Sequence, residues 1–153
     1  ELSLVLRWER DAATVPAPDK LQRRAGWAWL LRHAMAWHDE QAQRLQLNPT
    51  RWAVPFESLQ WHDLQVMALV DELALWEEAH AMQHCANRLA DECRKGEHLV
   101  LSVRQEGRRL CTLGLTRKSD AWVFWQAVGR ANTVLAPGLA KSLQGLVAFI
   151  NQQ

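Results

Sequence analysis

Between residues 99 and 128 the chain changes its period. Three short runs, 99–104, 110–116 and 122–128, are rich in β-branched and aromatic side chains, and Glu106-Gly107 and Lys118-Ser119-Asp120 separate them. Runs of this length with polar breaks read as a three-stranded antiparallel meander. What precedes it is spaced mainly by threes and fours, and a last amphipathic stretch, 139–150, follows Pro137-Gly138. The expected fold class is therefore α+β: long N-terminal helices, a three-stranded antiparallel sheet and a C-terminal helix.

Along the chain, residues 1–18 alternate briefly at Leu2, Val5, Leu6 and Trp8 and then pass through Pro16 and Pro18. Proline continues neither a helix nor a central strand, so this stretch reads as an extension or linker. Residues 19–153 read as one α+β domain. Asp19 is a suitable N-cap for a first helix with Leu21, Ala25, Ala28, Leu31, Met35, His38, Ala42 and Leu45 on one face, stopped by Asn48-Pro49. Trp27, Trp29 and Trp37 fall off that stripe, which suggests a helix buried on several sides or one that offers aromatic surface to a partner. Residues 51–56 read as an irregular apolar bridge, and 61–70 as either a short strand or a helical turn. A second long helix is expected from the N-cap Asp71 to Lys95, closed by a left-handed Gly96.

With 153 residues and 48% hydrophobic content, one sizeable core is expected. There is no run of about 18 apolar residues and no basic, apolar leader, so neither membrane insertion nor export is expected. Three cysteines, Cys85, Cys93 and Cys111, are an odd number and too few for a disulfide scaffold, which points to reduced thiols and a cytoplasmic setting. The net charge of +1 hides a segregation: residues 57–93 carry eight acidic side chains and one Arg, residues 94–118 seven basic ones and two Glu. Such blocks mark either a nucleic-acid or acidic-partner surface, or two solvated faces that attract each other.

The densest chemistry lies in His80-Ala-Met-Gln-His84-Cys85. On a continuous helix His80 and His84 share a face, a workable half of a zinc site. No acid stands between them as a zinc protease needs and no CxxC completes a structural site, so no metal is expected. His84 and Cys85 would point about 100° apart and could not pair as base and nucleophile. His84 alone suits general acid or base work, with a structural histidine as the plain alternative, and Cys85 reads as a small buried hydrophobe. Further on, Gln126-Ala-Val-Gly129-Arg-Ala-Asn132 leaves the third strand. Gln126 and Asn132 can hydrogen-bond a ligand, and Gly129 allows close backbone approach or a positive φ; a plain turn explains them equally. The glycine density of a nucleotide fingerprint is missing, and no cofactor is expected. Trp122 and Trp125 beside basic residues are suited to stacking on bases.

Taken in order, the run 52–56, Leu73 and Glu78 before Met82-Gln-His84-Cys85, Gly96 before a strand, Thr112-Leu113, and Gln126-x-x-Gly129-x-x-Asn132 resemble the hallmarks of PcfJ-like proteins over about residues 50–152. Those are bacterial proteins associated with conjugative plasmids, integrative elements and phages. The chain departs from that pattern at Ala79, where the family tends to have Gly, and at Leu89, where it has an aromatic residue. Its Thr112-Leu113-Gly114 stands where the family has Thr-Leu-Glu, so a family acid at that position is absent.

The resemblance implies an accessory domain of a mobile genetic element that binds nucleic acid or a protein partner through the basic sheet and the edge from Gln126 to Asn132. An enzyme is the alternative: a metal-independent nuclease or nucleotidyl-modifying activity with His84 as acid or base, Arg104 or Arg109 on phosphate charge, and Gln126 and Asn132 orienting substrate. A structural module that forms homo-oligomers through the tryptophans of the first helix is the third reading.

Overall fold

The structure, a computed structural model, describes residues 26–153 apart from the side chain of Trp27. The chain forms two units, residues 1–47 and 48–153. In the first, helix α1 spans Gly26–Leu45. Its predicted apolar stripe is uneven, for Met35 is 51% and Leu45 87% exposed. The Trp29 ring stacks on His33, whose Nδ1 also meets the Trp29 carbonyl oxygen at 2.9 Å. The expected extension over residues 1–18, the cap Asp19 and the helical positions Leu21 and Ala25 lie outside the described residues.

The second unit corrects the expected sheet: it has five strands, not three. β1 (Ser58–Trp61) and β2 (Leu64–Ala68) precede α2 (Glu72–Met82), a 3-10 helix (Ala86–Leu89) and α3 (Ala90–Arg94). β3 (His98–Gln105), β4 (Arg108–Lys118), β5 (Ala121–Val128), a 3-10 turn (Arg130–Asn132) and α4 (Pro137–Ile150) follow. All strands are antiparallel, in the order β1-β2-β3-β4-β5. The added hairpin turns through His62, at φ 54°, in residues that as sequence read equally as strand or helical turn. β1 is only four residues long and half exposed, so its alternation is too brief to decide the period.

The sheet is covered on both faces, and the alternation along β3 shows why. Leu99, Leu101 and Val103 point to one side, where Leu143, Leu146, Val147 and Ile150 of α4 close the larger core. Val100 points to the other, into a smaller core with Leu75 and Ala79 of α2, Ala86, Cys93, Leu69 and Trp52. Trp52, in the irregular segment before β1, donates its indole N–H to the Leu69 carbonyl at 3.0 Å, so the bridge is held by a hydrogen bond as well as by packing.

The expected single helix from Asp71 to Lys95 is broken. Asp71 caps α2 as expected, its Oδ1 accepting the Ala74 N–H at 2.7 Å, and Gly96 is left-handed at φ 75°. But Gln83 turns left-handed at φ 54° and ends α2 after Met82. No helix-breaking residue stands there; tertiary contacts of the next few residues win over local preference. The last turn of the excursion is tied back by Arg94, which pairs with Glu72 at 2.5 Å and Asp91 at 2.8 Å.

β5 is an uncharged edge strand with Val123, Phe124 and Trp125 at 36%, 36% and 45% exposure. Its start is occupied by Asn151, just past α4, whose carboxamide accepts the Trp122 N–H and donates to the Trp122 carbonyl, both at 2.8 Å. This imitates a neighbouring peptide group and blocks further pairing there. Among the described residues no helix is long and apolar enough to cross a membrane.

Leu146 is fully buried where α4 meets the sheet. Leu146→Ala is expected to lower unfolding free energy by about 2–5 kcal/mol in urea titrations, as large-to-small core changes do; a loss below about 1 kcal/mol would mean α4 does not close this core.

Candidate functional site

The break after α2 builds the site. Because the chain turns at Gln83, His84 leaves the helix and its ring crosses to β4, where Nε2 lies 2.7 Å from the Thr112 hydroxyl. Thr112 in turn lies 2.8 Å from Glu78 Oε1, and Arg109 Nε donates to Glu78 Oε2 at 2.7 Å. Glu78 itself is fully buried. It sits on the inward face of α2 with Leu75, Ala79 and Met82, a spacing of three and four that the sequence displays.

The network fixes the state of His84. A threonine hydroxyl has one proton, and beside a carboxylate that proton goes to Glu78; Thr112 must then accept from the imidazole Nε2–H. On the other side the Ala86 amide, which can only donate, meets Nδ1 at 3.3 Å. The ring is therefore the neutral Nε2–H tautomer. Burial lowers its pKa below the usual 6.5, with the Glu78 carboxylate pulling the other way. The Ala86 amide opposes protonation of Nδ1 as well, since two N–H groups would face each other.

Next to this network lies a cavity of about 240 Å³ between the 3-10 helix Ala86–Leu89 and the β4–β5 end of the sheet. His84, Gln126 and Asn132 all line it, together with Cys85, Arg88, Leu89, Val100, Thr112 and Trp125. A bulge shapes its floor. Gly114 pairs with Gln126 and Leu115 with Phe124, which leaves Trp125 as the extra residue. A Cβ on Gly114 would stand 2.8 Å from Cε3 of Trp125, so the indole fills the space that a side chain at 114, the glutamate of the resembled pattern included, would need.

Gly129 does not line the cavity. Its φ of −78° is ordinary, and it serves close packing instead: a Cβ there would meet the Thr133 hydroxyl at 2.5 Å. The turn beyond it is strained, with Ala131 at φ 53° and Asn132 at φ 59°, and this turn carries the Asn132 carboxamide to the cavity.

Arg104 and Arg109 fall elsewhere. They line a second cavity of about 320 Å³ with Arg51, Glu57 and Glu77, Arg109 held by Glu78 and Arg104 donating to the Ser102 hydroxyl at 3.1 Å. Burial, followed by the neighbouring Arg109 charge, lowers the Arg104 pKa. The candidate residues thus form two groups that meet only through Glu78. Three pairs, Glu72–Arg94, Asp91–Arg94 and Glu78–Arg109, join the acidic block to the basic one, which accounts for part of the charge segregation without a partner.

Two readings of the His-Cys segment change. His80 and His84 do not share a helix face: His80 remains on α2, packed against the Trp76 ring with Nδ1 2.8 Å from the Trp76 carbonyl oxygen, and the two meet only as walls of an open cavity of about 430 Å³ that Cys85 and Asn132 also line. Cys85 is exposed rather than buried, and Cys93 and Cys111 are the buried thiols, pushed up to about 12 by desolvation. Among the described residues no three His, Cys, Asp or Glu stand close enough together to hold a metal ion. Arg88 was not singled out by the sequence, and neither was the hub role of Glu78.

Comparison of the chain with protein-family models, curated proteins and solved structures finds no match.

Because the folded pKa of His84 lies below the unfolded value, the unfolded chain takes up the proton first as pH falls below about 6.5, and stability declines toward the folded pKa. Urea midpoints between pH 7.5 and 5 should fall more steeply for the wild type than for His84→Gln; parallel profiles would contradict the assigned state. Ala131→Gly should raise stability by about 1 kcal/mol by relieving the left-handed backbone, read from the same titrations; a loss of stability would show that the strain is absent.

Proposed function

We propose that this chain contains a PcfJ-like accessory domain of a mobile genetic element, working in the cytoplasm, that binds single-stranded nucleic acid in the cavity beside Trp125. One observation carries the reading: His84, Thr112, Gln126 and Asn132, spread over the second half of the sequence and part of the resembled motifs, line one cavity. Its volume is below the roughly 300–1,000 Å³ of sites for drug-sized ligands and suits a single planar group. A half-exposed indole offers a stacking surface, worth about 1–3 kcal/mol per base in single-strand binders. Arg88, exposed at the same cavity, supplies charge for a phosphate. The three unpaired cysteines support a reducing compartment.

A protein partner would be expected to use a broader surface than this concave site, and the basic side chains that the sequence offered for one are partly engaged by Glu78 and Ser102.

Fluorescence anisotropy with labelled 12-nucleotide single strands tests the reading. Trp125→Ala should weaken binding by about tenfold or more, as loss of one stacked base predicts, and a duplex of the same sequence should bind less well. Equal affinity of wild type and variant for the single strands would refute it.

The nuclease reading is favoured by the Glu78–Thr112–His84 chain, which orients an imidazole as a third group orients a catalytic base. Its obstacle is that both ring nitrogens already have partners inside the chain. Cleavage of labelled RNA by the wild type and its loss in His84→Ala on a denaturing gel would establish it; intact RNA with both proteins would remove it.

A further inference from the structure

The groups left free at the cavity are few. Thr112 and His84 satisfy each other, and both oxygens of Glu78 are taken by Thr112 and Arg109. The carboxamides of Gln126 and Asn132, by contrast, have no hydrogen-bond partner among the described residues, and neither has the Arg88 guanidinium. The remaining wall is apolar: Leu89, Val100, Val128 and the indole of Trp125.

This inventory discriminates among bases by the edge they turn away from Watson–Crick pairing. Cytosine is recognised through its amino group by a carboxylate acceptor, and the Glu78 carboxylate is fully engaged within the fold. Guanine is recognised at O6 and N7 by a cation, and among the described residues the one guanidinium at this cavity, Arg88, is exposed. On that edge uracil shows the O4 acceptor without a donor, whereas adenine presents a donor beside an acceptor, N6–H and N7, and the side chain that matches both at once is the carboxamide of Asn or Gln. Resting on the nucleic-acid reading, we infer that the cavity is an adenine site, with Trp125 against the ring, a carboxamide of Gln126 or Asn132 on the N6 edge and Arg88 toward the 5′-phosphate. Gly114 belongs to the site although it touches no ligand, because the indole can lie over the strand only where position 114 has no Cβ.

An adenine nucleotide has two sources, an unpaired residue in a strand or a free mononucleotide, and the test separates them. Binding of labelled oligo(A), oligo(C), oligo(U) and oligo(G) single strands is measured by anisotropy, and binding of AMP and CMP by quenching of tryptophan fluorescence. The expected result is at least tenfold tighter binding of oligo(A) than of oligo(C) or oligo(U), a preference reduced to threefold or less in Gln126→Leu or Asn132→Leu. Gly114→Ala, which displaces the indole, should weaken oligo(A) binding without abolishing the cooperative urea transition. Should a leucine variant fail to show that transition, Gln126→Glu serves instead, replacing the amide donor by an acceptor and shifting preference from A toward C. Tight binding of AMP over CMP with no binding of strands would keep the adenine site and refute the nucleic-acid reading. Equal binding of all four strands would overturn the adenine inference while leaving strand binding intact, and absence of binding to every probe would overturn both.

Discussion

A carboxylate with no exposure to water is the constraint around which the second unit is organised. Taking an ionised Glu78 out of solvent costs several kcal/mol unless both oxygens find strong partners. Arg109 supplies the charge and Thr112 the second hydrogen bond, both from β4. The consequences run outward from there. With its proton committed to Glu78, Thr112 can only accept from His84; with Nε2 committed to Thr112, His84 turns Nδ1 to the Ala86 amide. The backbone reaches that arrangement by leaving the helix at Gln83, in a left-handed conformation that costs roughly 1–2 kcal/mol for a residue other than glycine. The end of α2, the start of the 3-10 helix and the middle of β4 are thus held by one set of polar contacts.

The same contacts divide the surface chemistry. Arg109 and Arg104 are drawn to one side of Glu78, into the cavity they share with Arg51 and two glutamates. His84 is drawn to the other, where a bulge in β5 sets Trp125 and Gln126 side by side over Gly114. Polar groups that satisfy each other line the cavity there on one side, and Gln126, Asn132 and Arg88, whose side chains have no partner among the described residues, line it as well. A site in which the fixed groups shape the cavity and the free ones meet a ligand is a binding site first. Catalysis by His84 would require Nδ1 to give up the Ala86 amide.

Much of this was legible in the sequence, in proportion to how local each signal was. Residues 99–128 announced three strands by composition and by the breaks between them, and Asp71 and Gly96 marked the ends of the α2–α3 excursion. The two added strands were hidden because β1 is four residues long and half exposed, leaving too few alternations to fix a period. The break at Gln83 was hidden because nothing local requires it; it answers to Thr112 and Glu78, residues on other elements. The burial of Glu78 was present in its spacing with Leu75, Ala79 and Met82, but the acidic block around it suggested a solvated face. Of the candidate site, His84, Gln126 and Asn132 were singled out by residue type and lie together. Arg104 and Arg109 were singled out by charge and lie apart from them, since charge in a sequence does not say which carboxylate will capture it. Trp125 was noted for stacking, but that its indole needs Gly114 follows only from the register of β4 and β5.

The central claim is that Glu78 and Thr112 hold His84 in one neutral tautomer and thereby shape the cavity. Nitrogen-15 NMR of the imidazole at pH 7 tests it most directly. The account predicts a protonated Nε2 and an unprotonated Nδ1 on His84, with the preference weakened toward exchange between the two tautomers in Thr112→Val or Glu78→Gln, where only the Ala86 amide still holds the ring. A wild-type His84 that is protonated at Nδ1, or that exchanges between the two tautomers as a solvated imidazole does, would contradict it.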